Sequence, residues 1–150
     1  MENMKTETKT TNKKYKILAE FVKDMSSETP DIDTYLFVKD NISNYSLNID
    51  IKSKVLKEKI IQIETTLKYS DKHESAKKSF FEMIFATIIR LEVSAKEHEN
   101  LAKTILCDVQ KEIYPELEKT FLSMLHGSGY AGLEFNKKVD FEELYKKNKN

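Results

Sequence analysis

The three glycines of this chain, Gly127, Gly129 and Gly132, spell G-x-G-x-x-G. In a dinucleotide-binding turn that spacing gives a tight bend and lets the backbone approach a pyrophosphate. The chemistry needs a strand before the triplet and a helix after it, because the phosphate sits at a helix N-terminus. Here a helical stripe precedes the glycines and too little chain follows for a second βα unit. The plainer reading is a helix C-cap with a left-handed turn. His126 lies beside Ser128, yet a nucleophile elbow also needs a preceding strand and a separate orienting acid. His73, His98 and His126 fall on different elements and Cys107 is the sole cysteine, so zinc spacing is absent. On its helical stripe Cys107 reads as a small core residue.

Three other groups can act without catalysis. Asp24, Glu28, Asp31 and Asp33 put four carboxylates in ten residues with no cation among them, which serves solubility or docks a basic partner. Lys52, Lys54, Lys57 and Lys59 form a solvated turn or an anion-binding face. Tyr35, Phe37 and Tyr45, with Phe21 close by, are large side chains outside any helical stripe; they cap a core or line a groove for apolar ligands.

The elements that must position these groups follow from hydrophobic period. Alternation of two over Tyr15–Phe21 predicts a strand ending near Lys23, followed by an acidic loop to Asp33. Tyr45, Leu47, Ile49 and Ile51 predict a second strand, Ile61 to Tyr69 a third and Phe81 to Leu91 a fourth. Phe80, Ile84, Ala86 and Ile88 make the fourth strand apolar on its other face too, so it needs cover on both sides, one of them from helices and the other from a partner subunit. From Glu97 the spacing becomes four, through Leu101, Ile105, Val109 and Ile113 and on past Leu117 to Leu125. Pro115 inside this run predicts a break near Tyr114 or a kink. Asp140 and Glu143 resemble a capping box for a short closing helix. The sum is an α+β fold: a four-stranded antiparallel sheet with a long C-terminal helix and a short closing helix packed on one face.

Length and charge bound the rest. One hundred and fifty residues suit a single domain, here 15–145, between a polar tail at 1–14 and a basic tail at 146–150. The 25 cations balance 25 anions, and Arg90 is the only arginine, which argues against a nucleic-acid reader. No run approaches the ~20 apolar residues of a membrane span. A lone cysteine fits a reducing compartment, the cytosol in the simplest reading.

One resemblance gathers these features. Lys23, Asp24, Met25 and Ser26, then Glu28 and Pro30, then Phe37, Lys39, Asp40, Leu47, Ile49 and Asp50 resemble the opening of the SecB family of protein-export chaperones. Tyr114 with Pro115, Ser123 with Met124, and Phe135, Val139, Asp140, Phe141, Leu144 and Tyr145 are similar to its long helix and close. The resemblance implies a homotetramer, a dimer of dimers, that holds unfolded precursor polypeptides in apolar grooves and passes them to the SecA motor, with no cofactor and no catalysis. It implies a client groove at Phe21, Tyr35, Phe37 and Tyr45, and a motor-docking acidic patch at Asp24, Glu28, Asp31 and Glu82. Asn41 stands where the family often has tryptophan, and the family's usual acidity is missing. Two alternatives stay open: a SecB-like chaperone dedicated to one partner such as an antitoxin, and a lysine-based nucleic-acid or anion-binding module.

Overall fold

The computed structural model describes residues 14–149, so the expected tail at 1–14 falls, but for Lys14, outside the described residues. The elements are β1 (Tyr15–Glu28), α1 (Ile32–Asp40), a 3-10 turn (Ile42–Asn44), β2 (Tyr45–Lys57), β3 (Ile60–Asp71), β4 (Phe80–Leu91), α2 (Leu101–Lys103), a π turn (Thr104–Asp108), α3 (Val109–Gly127) and α4 (Phe141–Lys149). All strand pairs are antiparallel and the order across the sheet is β1-β4-β3-β2. The α+β architecture expected from hydrophobic period is present.

Only β2, β3 and β4 are neighbours in chain order. β1 and β2 occupy opposite edges, so the chain between them crosses the end of the sheet over two intervening strands, roughly 14 Å at the usual strand spacing. α1 makes the crossing. Asp31 caps it, its carboxylate accepting from the Thr34 amide at 2.8 Å, and Thr34 and Val38 are its buried side chains. The acidic loop expected from Asp24 to Asp33 is therefore the end of a strand and the start of a helix. Likewise β2 runs through Lys57, leaving only Glu58 and Lys59 as the turn. Register slips at Ile17/Ala19 and Val22/Asp24 mark two bulges in β1, a common device on edge strands.

Ile61, Ile63, Leu67, Met83 and Ile89 form the helix-facing layer of the sheet, against Ile105, Val109, Ile113, Leu117, Phe121 and Leu125 of the long helix. Within that apolar layer Thr65 donates to Gln110 Oε1 at 3.0 Å, and Gln110 Nε2 donates to the Ile105 carbonyl of the π turn at 3.4 Å. A buried amide is thus satisfied on both sides and ties the π turn to β3. Of the break near Tyr114 or the kink expected from Pro115, the break does not occur: Pro115 lies inside an unbroken α3. It forgoes one bond to the carbonyl four residues earlier, a cost offset by the burial of Ile113, Tyr114 and Leu117 around it. Burial, and then Glu118 close by, raise the Tyr114 phenol above its ordinary pKa. α4 is held to α3 by Lys111 Nζ on Glu142 at 2.8 Å, a contact that lowers the Glu142 pKa and raises that of Lys111.

Phe121 is fully buried. Phe121→Ala is expected to cost about 3–5 kcal/mol through lost burial and a residual cavity, read as a fall in the urea midpoint at unchanged slope.

Candidate functional site

Seven aromatic rings form a continuous chain at the crossover end of the sheet. Tyr35 of α1 meets Tyr130 at 5.6 Å between ring centroids, Tyr130 meets Phe81 at 5.7 Å, and Phe81 meets Tyr45 and Tyr69 at 6.3 and 6.4 Å. Tyr69 meets Phe135 at 5.4 Å, and Phe135 stacks on Phe121 of α3 at 6.3 Å. Each tilted or edge-on pair adds on the order of 0.5–1.5 kcal/mol beyond its buried area. The chain couples α1, three strands, the long helix and the loop between α3 and α4.

One end of this aromatic chain borders a cleft. Tyr45, Tyr69 and Phe135 floor a cleft of about 760 Å³ whose walls are Leu47, Ile49, Val139 and Leu144. Lys72, Lys137 and Lys138 stand on its rim with Glu134, Asp140 and Glu143. The cleft runs along Ser46 to Ile49 of β2, the outermost strand on this side, whose outer edge pairs with no other strand among the described residues. Apolar side chains and unpaired backbone lie side by side there. Burial raises the pKa of the Tyr45 and Tyr69 phenols, so both rings stay neutral across the physiological range.

The four expected groove residues do not converge. Tyr45 is in the cleft floor. Tyr35 is docked instead on the glycine turn: its hydroxyl donates to the Gly129 carbonyl at 2.8 Å. A Cβ at Gly129 would stand 2.5 Å from Tyr35 Cε1, and Gly129 has φ +110. Phe37 is partly exposed on α1, beside the outward Ile32 and Leu36. Phe21 is exposed at the other edge of the sheet and on the face away from the helices, since it pairs with Ala86. Sequence reading missed Tyr69 and Phe135, because Tyr69 falls in phase with the core of β3 and Phe135 in a loop without period.

The glycine triplet thus ends a helix, as its context predicts. Ser128 N–H donates to the Met124 and Leu125 carbonyls, Tyr130 N–H to Leu125, and the Ser128 hydroxyl to the Met124 carbonyl at 2.7 Å. Ser128 Oγ also lies 2.6 Å from Ser27 Oγ at the end of β1, and His126 Nε2 lies 2.8 Å from the Leu133 carbonyl. Both polar side chains are used in closing the turn.

The expected acidic patch assembles in part. Glu82 is opposite Ser26, and Asp24 and Glu28 flank Ser26 two positions away on the same face, the one turned from the helices. Lys68 Nζ lies 3.7 Å from Glu82. Asp31 is set apart by its capping role, and hydrogen bonds from Thr34 hold its carboxyl below the usual carboxylate range.

The family model described as preprotein translocase subunit SecB matches residues 8–150. The chain belongs to the SecB family. A relative from Pelagibacter ubique (strain HTCC1062), named as a SecB protein-export protein, is 51% identical over 91% of this chain and 97% of its own length. The SecB of Bradyrhizobium diazoefficiens is 26% identical over 88% of this chain and 80% of its own. A SecB-like chaperone of Mycobacterium tuberculosis, solved with an antitoxin peptide, superposes with TM-score 0.53 over 92% of this chain and all of its own at 8% identity, a likeness of fold. SecB proteins are protein-export chaperones.

For this SecB chain the Tyr35 clasp yields a direct check. Gly129→Ala, with its Cβ inside the Tyr35 ring contact and φ in the left-handed region, should lower the melting temperature more than Gly132→Ala, which has φ +82 but no atom within 4 Å of its Cβ.

Proposed function

We propose that the chain is a cytoplasmic holdase, assembled as a homotetramer, that binds unfolded precursor segments in the Tyr45–Tyr69–Phe135 cleft and delivers them to SecA. The observation that carries this reading is the apolar cleft bordered by Tyr45, Tyr69 and Phe135 beside the edge of β2, which no described strand covers. An extended client lays its backbone along Ser46–Ile49 as an added strand, and alternate side chains enter the cleft. Burial of client apolar surface at roughly 25 cal/mol per Å² supplies the affinity without sequence selectivity. The outward Ile32, Leu36 and Phe37 of α1 offer a second weak site, so that a long client gains by effective concentration. No bond is made or broken in this cycle.

The test is light scattering of an aggregating client. Stoichiometric chaperone should suppress the signal, and Phe135→Ser with Leu144→Ser should weaken suppression at least tenfold while far-UV circular dichroism is unchanged. Absence of suppression by the parent chain, or full suppression by the double variant, would overturn the cleft as the client site.

Delivery to the motor rests on Asp24, Glu28 and Glu82, which share one sheet face. Asp24→Lys with Glu28→Lys is expected to weaken SecA binding at least tenfold, measured by calorimetry at fixed salt, and leave client holding intact. Equal binding by parent and variant would remove these carboxylates from the interface.

A further inference from the structure

The sheet face turned from the helices is graded in charge along the strands. At the end near the β2–β3 turn, register aligns Lys16, Arg90 and Lys57 in one row around Ile60. The next row holds Ile88 and Lys54. The middle row is Phe21, Ala86, Glu64 and Lys52, and Lys23 at the β1 bulge is ion-paired with Glu64 there. Beyond it come Asp24, Ile84 and Asp50, then Glu82 and Lys68, and finally Glu28 with Phe80. Phe21 and Phe80 are 50% and 42% exposed, so the face has an apolar centre line as well as a basic and an acidic end.

Such a face is complementary to itself. A two-fold axis lying across the strands through the Ala86 row reverses the strand direction in a second copy. Arg90 then stands over Glu82 of the second copy, Lys54 over Asp50 and Ile88 over Ile84, each contact occurring twice, while on the axis Phe21, Lys52 and Glu64, the last already paired with Lys23, each meet their own counterpart once. Four strands of twelve to fourteen residues give a face of about 750 Å² per copy at standard strand spacing and rise, and two such faces reach the roughly 1,200–2,000 Å² of a stable specific interface. Twisted sheets stack face to face at about −30°.

We infer that two copies of this chain pair through these sheet faces, basic end over acidic end. The pairing covers Asp24 and Glu82, so this part of the docking surface of the proposed function is occluded in the paired form and free in the unpaired one. It accounts for the second apolar face of β4 without any client or motor.

Multi-angle light scattering of the full chain tests this. The mass at about 1 M salt, where the Debye length is near 3 Å, gives the base assembly, and it reports the proposed tetramer separately. At about 0.01 M salt and high protein concentration the mass should double. Arg90→Glu with Lys54→Glu should hold the base mass at low salt, as should Glu82→Lys with Asp50→Lys. An equimolar mixture of the two double variants should regain the doubled mass, because every reversed charge then meets its opposite. An unchanged parent mass across the salt range, doubling by either double variant alone, or a mixture that stays at the base mass would each overturn the pairing.

Discussion

The placement of β1 and β2 at opposite edges of the sheet is the constraint from which the rest follows. It obliges the chain to pass across the end of the sheet, and a crossing segment that is not anchored there exposes backbone and apolar side chains to water. The aromatic chain from Tyr35 to Phe121 is that anchor. It fastens α1 to the glycine turn and fastens the turn and the following loop to β4, β3 and α3. The cleft is the place where this packing ends before β2's outer edge is covered. Cleft and scaffold therefore share rings: Tyr69 and Phe135 stabilise the crossover end and also line the cleft.

The strands and long helix were legible because each has one buried face, and burial of one face imprints a period of two or of about four. α1 was not. Its buried Val38 and its outward Ile32 and Leu36 put apolar side chains on several sides, which erases the period, although Pro30 and Asp31 stand at its start as proline and cap. Local composition also misplaced the ends of β1 and β2: Ser26, Ser27 and Lys52–Lys57 read as turn, yet cross-strand pairing with Phe81, Glu82, Gln62 and Glu64 holds them extended. The acidic residues were identified by type, whereas their convergence depends on strand register and could only be seen once Glu82 was paired opposite Ser26. Tyr35 shows the reverse: its type suggested a ligand, and its partner, a glycine ninety-four residues away, made it a clasp.

Zero net charge also takes on a different meaning in three dimensions. Cations and anions are not mixed evenly over the outer sheet face but collected toward opposite ends of the strands. A neutral total thus conceals a directional surface, and direction is what a composition cannot express.

The π turn at Thr104–Asp108 bears on the same point. Apolar residues at strict intervals of four drift by about 40° per step around a helix of 3.6 residues per turn, so the stripe from Leu101 to Leu125 would wind off the sheet. The wider turn takes up part of that winding, and Gln110 fastens it to Thr65. Chain length in this segment is accordingly a phase setting: one residue fewer would turn the two parts of the long helix against each other by about a quarter of a revolution. Substitution can change what this helix is made of, but only an insertion or deletion can change which way it faces.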